Sequence, residues 1–299
     1  MHEVNCYICN SKHSENLFKQ GEEDTYLMQI YDVFPDNLYW KICLQCGLVY
    51  RSPVLDNDEI KELYNKYDQN IVNDEDKYFD KIIKIPREDS ENWIKTDWLF
   101  QSLESVTGIK NLNVLDVGCG GGTLLYTLKS LMPNINLYGV ELNKKYYEIA
   151  KKNLEINIKN EEYKSNLFGC KFDILINTKV LEHISDPLIF LENLNKDLKD
   201  DGHLFIEVPD VSDMYSFPAN DERFFIPHIF FYSEITLSIL LERSGFEVLK
   251  KRVSKSNRGR SYLQIIAKKQ MNEISKITEF TSTKDIQAMI KKIKQNMTK

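Results

Sequence analysis

Six cysteines occur in the chain, and four of them form two C-x2-C pairs, Cys6 with Cys9 and Cys43 with Cys46, separated by 33 residues. Thiolates at this spacing can close a tetrahedral four-sulfur site of the kind that holds zinc. Gly47, directly after the second pair, permits the tight turn that lets backbone N–H groups face the sulfurs. A closed site leaves no position open for a substrate, so its metal would serve folding. The rival reading, two redox C-x-x-C motifs, lacks the βαβ context of a thiol oxidoreductase. Cys119 and Cys170 stand alone.

A second centre lies between Asn113 and Gly122. The apolar run through Val114, Leu115, Asp116 and Val117 leads into Gly118, Cys119, Gly120, Gly121 and Gly122, with helix-forming residues from Thr123. Glycines let a backbone turn sharply and approach a ligand, and the helix start adds unpaired N–H groups. The spacing is Asp-x-Gly-x-Gly-x-Gly, with Asp116 two residues before the first glycine, and differs from the dinucleotide fingerprint. Glu141 follows 25 residues after Asp116, at the end of the next apolar run. A carboxylate there can accept hydrogen bonds from both hydroxyls of a ribose.

The elements that must carry these residues read clearly. Strands are expected at Asn113–Val117, Asn136–Glu141, Phe172–Asn177, His203–Val208, Gly245–Lys250 and Tyr262–Lys268, alternating with helices at Thr123–Leu131, Lys144–Asn157, Pro187–Leu198 and Ser233–Ser244. Strands separated by 10–15-residue helical patterns imply βαβ units and a mostly parallel sheet. Before them, Leu38–Ile42 and Leu48–Tyr50 read as strands flanking the second cysteine pair, and helices are expected around 56–64 and 90–107. The division is residues 1–52 (zinc-binding module), 53–110 (helical lid or linker), 111–269 (the α/β domain) and 270–299 (helical tail).

Hydrophobic residues make up 42% of the 299, enough for a real core. No apolar run approaches the roughly 18 residues of a membrane span, and no secretory signal is visible, so a cytoplasmic protein without membrane contact is expected. The net charge of −6 disfavours broad binding of phosphate backbones.

The glycine loop, Glu141 and the later segment Leu181, Glu182, His183, Ile184, Asp186, Pro187 together resemble the class I S-adenosylmethionine-dependent methyltransferases over about residues 110–269. The resemblance implies an α/β fold with a Rossmann-like seven-stranded methyltransferase sheet and S-adenosylmethionine as cofactor. It places Asp116, Gly118, Cys119, Gly120 and Gly122 at the methionine end, and Glu141 with Leu142 at the ribose. Asn166 and Leu167 would lie near the adenine, Asn166 replacing the family's usual Asp, and Asn177 and Lys179 follow the fourth strand. The stretch Asn177–Val180 lacks the Asn/Asp-Pro-Pro-aromatic motif of enzymes that methylate nucleobase nitrogens.

Methyl transfer needs an aligned nucleophile and, where required, a base. His228 is the preferred base, because the segment Ile226–Ser233 resembles acceptor-site loops of sugar-type and quinone-type methyltransferases. His183 reads as a pocket contact first and a base second, and His203 as a strand-edge residue. Zinc modules precede this core both in sugar methyltransferases and in some ribosomal RNA methyltransferases. Residues 1–52 hold four basic against seven acidic side chains, which favours the small-molecule reading over RNA. Carbon-methylating deoxysugar enzymes carry a further C-terminal domain that 299 residues cannot hold, so oxygen, ahead of nitrogen, is the expected acceptor atom.

The expectation is O-methylation of a sugar or other small polar metabolite, nucleotide-linked ones included, in surface-glycan or secondary metabolism, with structural Zn2+. An rRNA or tRNA methyltransferase with a zinc ribbon, and a cofactor-binding scaffold without catalysis, are the rivals. Arg223, Arg258 and Arg260 could grip phosphates or only decorate the surface. Tyr64, Tyr67, Tyr78, Phe79, Trp93 and Trp98 could line a lid or a helix core. Ile286, Met289, Ile290, Ile293 and Met297 share one helical face, which needs either the chain's own core or a second subunit in a homodimer.

Overall fold

The computed structural model describes residues 1–20, 24–25, 28, 37–55, 58–60, 63, 75–103, 111–270 and 280–297. The N-terminal segment builds β1 (Ser14–Lys19), β2 (Tyr39–Cys43) and β3 (Val49–Ser52), paired antiparallel in that order. Two short strands match the sequence reading, and β1 is an addition to it. The expected helix at 56–64 and the aromatics Tyr64 and Tyr67 fall largely outside the described residues. Two helices follow, α1 (Glu75–Ile83) and α2 (Glu91–Ser102), the second ending earlier than residue 107.

The α/β domain then alternates as its apolar runs require. Its elements are β4 (Asn113–Val117), α3 (Thr123–Leu131), β5 (Asn136–Val140), α4 (Lys144–Asn153), β6 (Asn157–Lys159) and β7 (Phe172–Thr178). They continue with α5 (Pro187–Asp197), β8 (Leu198–Pro209), β9 (Phe230–Phe231), α6 (Glu234–Arg243), β10 (Phe246–Lys255) and β11 (Ser261–Lys269). The tail forms α7 (Thr283–Met297). Local chemistry fixes the helix starts. Asn143 caps α4 by accepting from Tyr146 N, Asp186 caps α5 ahead of Pro187, and Ser233 with Thr236 forms a reciprocal capping box on α6.

Seven strands make one mixed sheet in the order β10-β11-β8-β7-β4-β5-β6. β4 through β8 run parallel, and β11 lies antiparallel between β8 and β10. Alternate residues serve opposite faces, as the pleat demands. Leu115, Leu175, Leu204, Ile206 and Ile265 face one buried layer that includes Leu191 and Leu194 of α5 and Leu237 and Leu240 of α6. Val114, Ile174, Ile176, Phe205 and Ile266 face the other, with Leu99 of α2 and Leu124, Leu125 and Leu128 of α3. Both faces are covered, so the strands read as nearly continuous apolar runs. The expected helix through Asn157 stops at Asn153 because the chain re-enters the sheet as β6.

The four segments drawn from sequence interlock in space. β9, from the domain segment, adds to the N-terminal sheet, giving the order β1-β2-β3-β9. Ile286, Ile290 and Ile293 of α7 pack on Leu17, Trp40, Ile42 and Val49 of the module and on Met214 and Phe224. The apolar face of the tail is therefore covered within this chain. Among the described residues no helix is long and apolar enough to cross a membrane.

Candidate functional site

At the carboxyl ends of β4, β5 and β7 the surface opens into a cavity of about 730 Å³, the place where open α/β sheets bind ligands. The glycine loop forms its floor. Gly118 N and Cys119 N both donate to Val140 O, at 2.8 and 3.0 Å, which turns the loop over the end of β5. Gly118 has φ +80°, and a Cβ there would collide with the Val180 side chain. Gly120 has φ +54° with open space where a Cβ would stand, on the cavity side.

Glu141 is clamped at the wall. Its Oε2 accepts from Gly120 N at 2.8 Å and its Oε1 from Asn143 N at 2.7 Å. Both bonds join a carboxylate to backbone amides, the strong charge-assisted kind. Gly118, Gly120, Glu141, Leu142 and Lys179 therefore meet on one cavity. The remaining expected cofactor residues do not reach its wall. Asp116 is buried beneath the loop, where burial and the nearby Glu141 push its carboxyl up to about 7. Asn177 is buried and donates from Nδ2 to Val117 O at 3.0 Å, stitching β7 to β4. Cys119 turns its sulfur toward Gly139, and Gly122 packs against Leu154 and Ala150.

Asn166 and Leu167, expected near the adenine, also lie off the cavity wall. β6 is only three residues long, so the chain reaches the cavity rim earlier, with Glu161, Glu162 and Tyr163. Asp197 then pulls the following turn away, accepting from Tyr163 Oη, Ser165 Oγ and Asn166 N at 2.9 Å each. Tyr146, on the first turn of α4, is a wall residue that the sequence reading missed. Its position four residues beyond the β5 glycine-loop acid's neighbour Leu142 was the available signal. Tyr78 of α1 packs on it, ring centroids 5.4 Å apart, and burial beside Glu141 raises the Tyr78 phenol. Phe79, Trp93 and Trp98 instead serve packing, against Tyr126, Arg87 and Phe205 respectively.

The opposite end of the cavity is lined by Lys179, His183, Arg223, His228 and Arg260. Lys179 has φ +58° and stands between Glu91 (3.3 Å) and Glu207 (3.9 Å), 4.2 Å above the Tyr262 ring. Glu207 is fully buried and also pairs with Lys95 at 2.7 Å. Arg223 is held by Asp213 and Asp221 at 3.0 and 2.7 Å, and Arg260 pairs with Glu222. Arg258 sits on the exposed turn before β11 and does not line the cavity.

The His183 and His228 rings lie 4.8 Å apart between centroids, tilted by 45°. His228 Nδ1 donates to Arg223 O at 2.6 Å, which leaves Nε2 as the lone-pair nitrogen. Burial, with help from His183 and Arg51, pushes His228 down to about 3. Burial likewise pushes His183 down to about 4, against the opposing hydrogen bond to the Pro227 backbone. Glu182, fully buried next to them, is pushed up to about 8 by burial. His203 lies on β8, away from the cavity.

The four paired cysteines converge on one point. Cys6 Sγ lies 3.4 Å from Cys46 Sγ and Cys9 Sγ 3.5 Å from Cys43 Sγ, and all four sulfurs lie within 4.8 Å of one another. Tetrahedral Zn–S bonds of about 2.3 Å imply sulfur separations of about 3.8 Å, so the set fits zinc and is far too open for disulfides. Gln45 N points at Cys43 Sγ at 3.4 Å, the expected amide-to-sulfur contact of a knuckle.

The chain is similar to several known proteins. A family model described as a methyltransferase domain matches residues 73–251. A ubiquinone biosynthesis O-methyltransferase of Pelagibacter ubique is 33% identical over 121 residues, covering 39% of this chain and 48% of the relative. A tRNA U34 carboxymethyltransferase of Campylobacter lari is 28% identical over 148 residues, covering 46% of this chain and 50% of the relative, and stands against the expectation of no nucleic acid partner. The chain thus spans about half the length of these curated relatives. Among solved structures, magnesium protoporphyrin IX methyltransferase from Synechocystis PCC 6803 is 17% identical at a TM-score of 0.49, covering 73% of this chain and all of the other. With the family match extending over more than half of its residues, the chain belongs to the methyltransferase-domain family.

Proposed function

We propose that the protein transfers the sulfonium methyl of S-adenosylmethionine to a hydroxyl oxygen of a small acceptor, releasing S-adenosylhomocysteine and a proton. The observation that supports this most is the clamped Glu141. Backbone amides of the glycine loop and of Asn143 fix its carboxylate at the cavity wall, where it can hold a ribose. The sulfonium methyl is already activated, so the protein's work is alignment, with exclusion of water and removal of one proton.

His228 is the candidate proton acceptor. Its tautomer is set by the Arg223 carbonyl, and burial keeps the ring neutral at physiological pH. Burial lowers His228, so it is a weak base, and alignment carries more of the chemistry than proton removal. An oxygen acceptor is in line with the O-methyltransferase named among the relatives. We further propose that Cys6, Cys9, Cys43 and Cys46 hold a structural Zn2+, which supplies no chemistry at the cavity.

The test is calorimetry of the zinc-loaded protein with S-adenosylhomocysteine, followed by label transfer from methyl-labelled S-adenosylmethionine to catechols, aliphatic alcohols and tRNA. Binding of the nucleoside with label transfer to one of the hydroxyl acceptors is expected. No heat of binding in folded protein would end the reading. Salt-sensitive label transfer to tRNA alone would favour the RNA alternative, which the tRNA-acting relative brings forward.

A further inference from the structure

Besides the four cysteines, the described residues hold one further group of metal-ligating side chains. One ligand atom from each of Glu182, His183 and His228 lies within 4.8 Å of the other two. Glu182 and His183 belong to the single turn Leu181–His183 that follows β7, and His228 to the loop before β9. Backbone bonds tie these segments to one frame. Ile229 N donates to Glu182 O at 2.8 Å, and Arg51 N of β3 donates to Ile229 O at 2.9 Å. β9 then pairs with β3 through Phe230 and Phe231. The residue after His228 is thus held between the turn and the N-terminal sheet, so the three side chains share a fixed backbone.

Their polar atoms are poorly served by the protein itself. Glu182 is 1% exposed, and its Oε2 has no hydrogen-bond partner among the described residues. His183 Nδ1 is buried in the same condition. An unpartnered buried polar atom costs about 1–3 kcal/mol, and more for a charged group. Native proteins keep such atoms for a task, a water or an ion. His228 donates from Nδ1 to Arg223 O at 2.6 Å. A metal-ligating histidine is oriented in this way: a carbonyl takes one ring N–H, and the other nitrogen, here Nε2, offers its lone pair. Both rings line the cavity and the carboxylate is buried beside them. An ion among the three would keep a side open to the cavity, as catalytic sites do and structural ones do not.

We propose that Glu182, His183 and His228 hold a divalent metal ion at the acceptor end of the cavity, through one carboxylate oxygen and two ring nitrogens. Two imidazoles with one carboxylate suit zinc or a similar transition-metal ion, whereas Mg2+ and Ca2+ take oxygen ligands. Bonds of about 2.0–2.2 Å put tetrahedral ligand atoms about 3.3–3.6 Å apart, so side-chain shifts of about an ångström close the site. What the ion does for catalysis rests on the methyl transfer proposed above. A metal lowers bound water from a pKa of about 15.7 to about 7, and a hydroxyl at the open position would likewise release its proton to water near neutral pH. The oxygen anion then attacks the sulfonium methyl: the O–C bond forms, the C–S bond breaks, and its electron pair stays on sulfur. No atom of the metal site changes oxidation state. Removal of the proton thereby passes from His228, a weak base, to the ion that His228 holds.

Full-length zinc-loaded protein tests this without knowledge of the acceptor. It is titrated with Co2+ as a spectroscopic stand-in for Zn2+, and read by visible absorption, calorimetry and metal content after gel filtration. The wild type should take up one Co2+ per chain beyond its zinc, with the d–d bands of nitrogen and oxygen ligands and no sulfur-to-cobalt charge transfer. Glu182→Gln and His228→Gln should each weaken that uptake at least about tenfold, with zinc content and circular dichroism as in the wild type. No additional Co2+ in folded wild type would overturn the proposal. Uptake that neither variant weakens would mark an adventitious surface site and overturn it too, as would charge transfer with release of zinc, which places the Co2+ at the cysteines. Calorimetry with S-adenosylhomocysteine, run in parallel, separates the two readings. Co2+ bound without the nucleoside leaves the metal site standing and ends the methyl transfer; the nucleoside bound without Co2+ does the reverse.

Discussion

Replacing Glu141 tests the cofactor end most directly. In Glu141→Ala the ribose loses two hydrogen bonds to a carboxylate, each worth about 1.5–3 kcal/mol. The variant also frees Gly120 N and Asn143 N, which the carboxylate now holds at 2.8 and 2.7 Å, so the loop is less ordered before binding. Water can satisfy those amides at the open cavity, which keeps the net loss near the lower end, about 3–4 kcal/mol. At about 1.4 kcal/mol per tenfold, S-adenosylhomocysteine should bind several hundred times more weakly. Glu141→Gln, which retains one carbonyl acceptor, should fall between the two. Isothermal calorimetry on zinc-loaded protein measures both, with circular dichroism confirming the fold. A loss smaller than threefold in the alanine variant would refute the assignment of Glu141 to the ribose.

Three further outcomes follow from described geometry. Gly118→Ala places a side chain at φ +80° and into Val180, costing about 1–2 kcal/mol for the backbone and about 1–3 for overpacking; urea unfolding should show a loss of at least about 2 kcal/mol. Asp116 is pushed up to about 7 in the folded protein against about 3.9 unfolded, so the folded state holds its proton more tightly and stability from this group is lost as pH rises from about 4 through 7. Asp116→Asn should therefore gain melting temperature relative to wild type at pH 8 and gain less at pH 5; an equal shift at both would show that Asp116 does not titrate there. Removing metal with a strong chelator should release one zinc per chain and lower the melting temperature markedly, and atomic absorption finding no zinc would remove the four-cysteine assignment.

The parts of the fold written in local chemistry were legible. β4, α3 and the start of β5 match their expected limits because Asp116–Gly122 punctuates the chain, and α5 begins at Pro187 because Asp186 caps it. Glu141 and His228 reach the cavity for the same reason: each sits at the end of a strand or beside a turn whose composition marks it. What escaped was decided at long range. β6 carries no periodic signal over Asn157–Lys159 and exists only because β5 offers an open edge. The turn that withdraws Asn166 is made by Asp197, thirty-one residues away in sequence, and β9 is two residues whose partner strand lies at Val49–Tyr50. Arg51 reads in sequence as ordinary surface charge, and nothing short of the assembled sheet shows it buried.

The join between β3 and β9 also bears on synthesis. About 180 residues separate Ser52 from Phe230, so a ribosome working at about 5–20 residues per second leaves the outer edge of β3 without its neighbour for roughly 10–40 s. A bare, apolar strand edge invites pairing with other chains. The cysteines that clamp the hairpin emerge within the first 46 residues, so metal can lock the early half long before its mate arrives. Given the zinc proposed for the four cysteines, its supply during translation should govern how much newborn protein escapes aggregation.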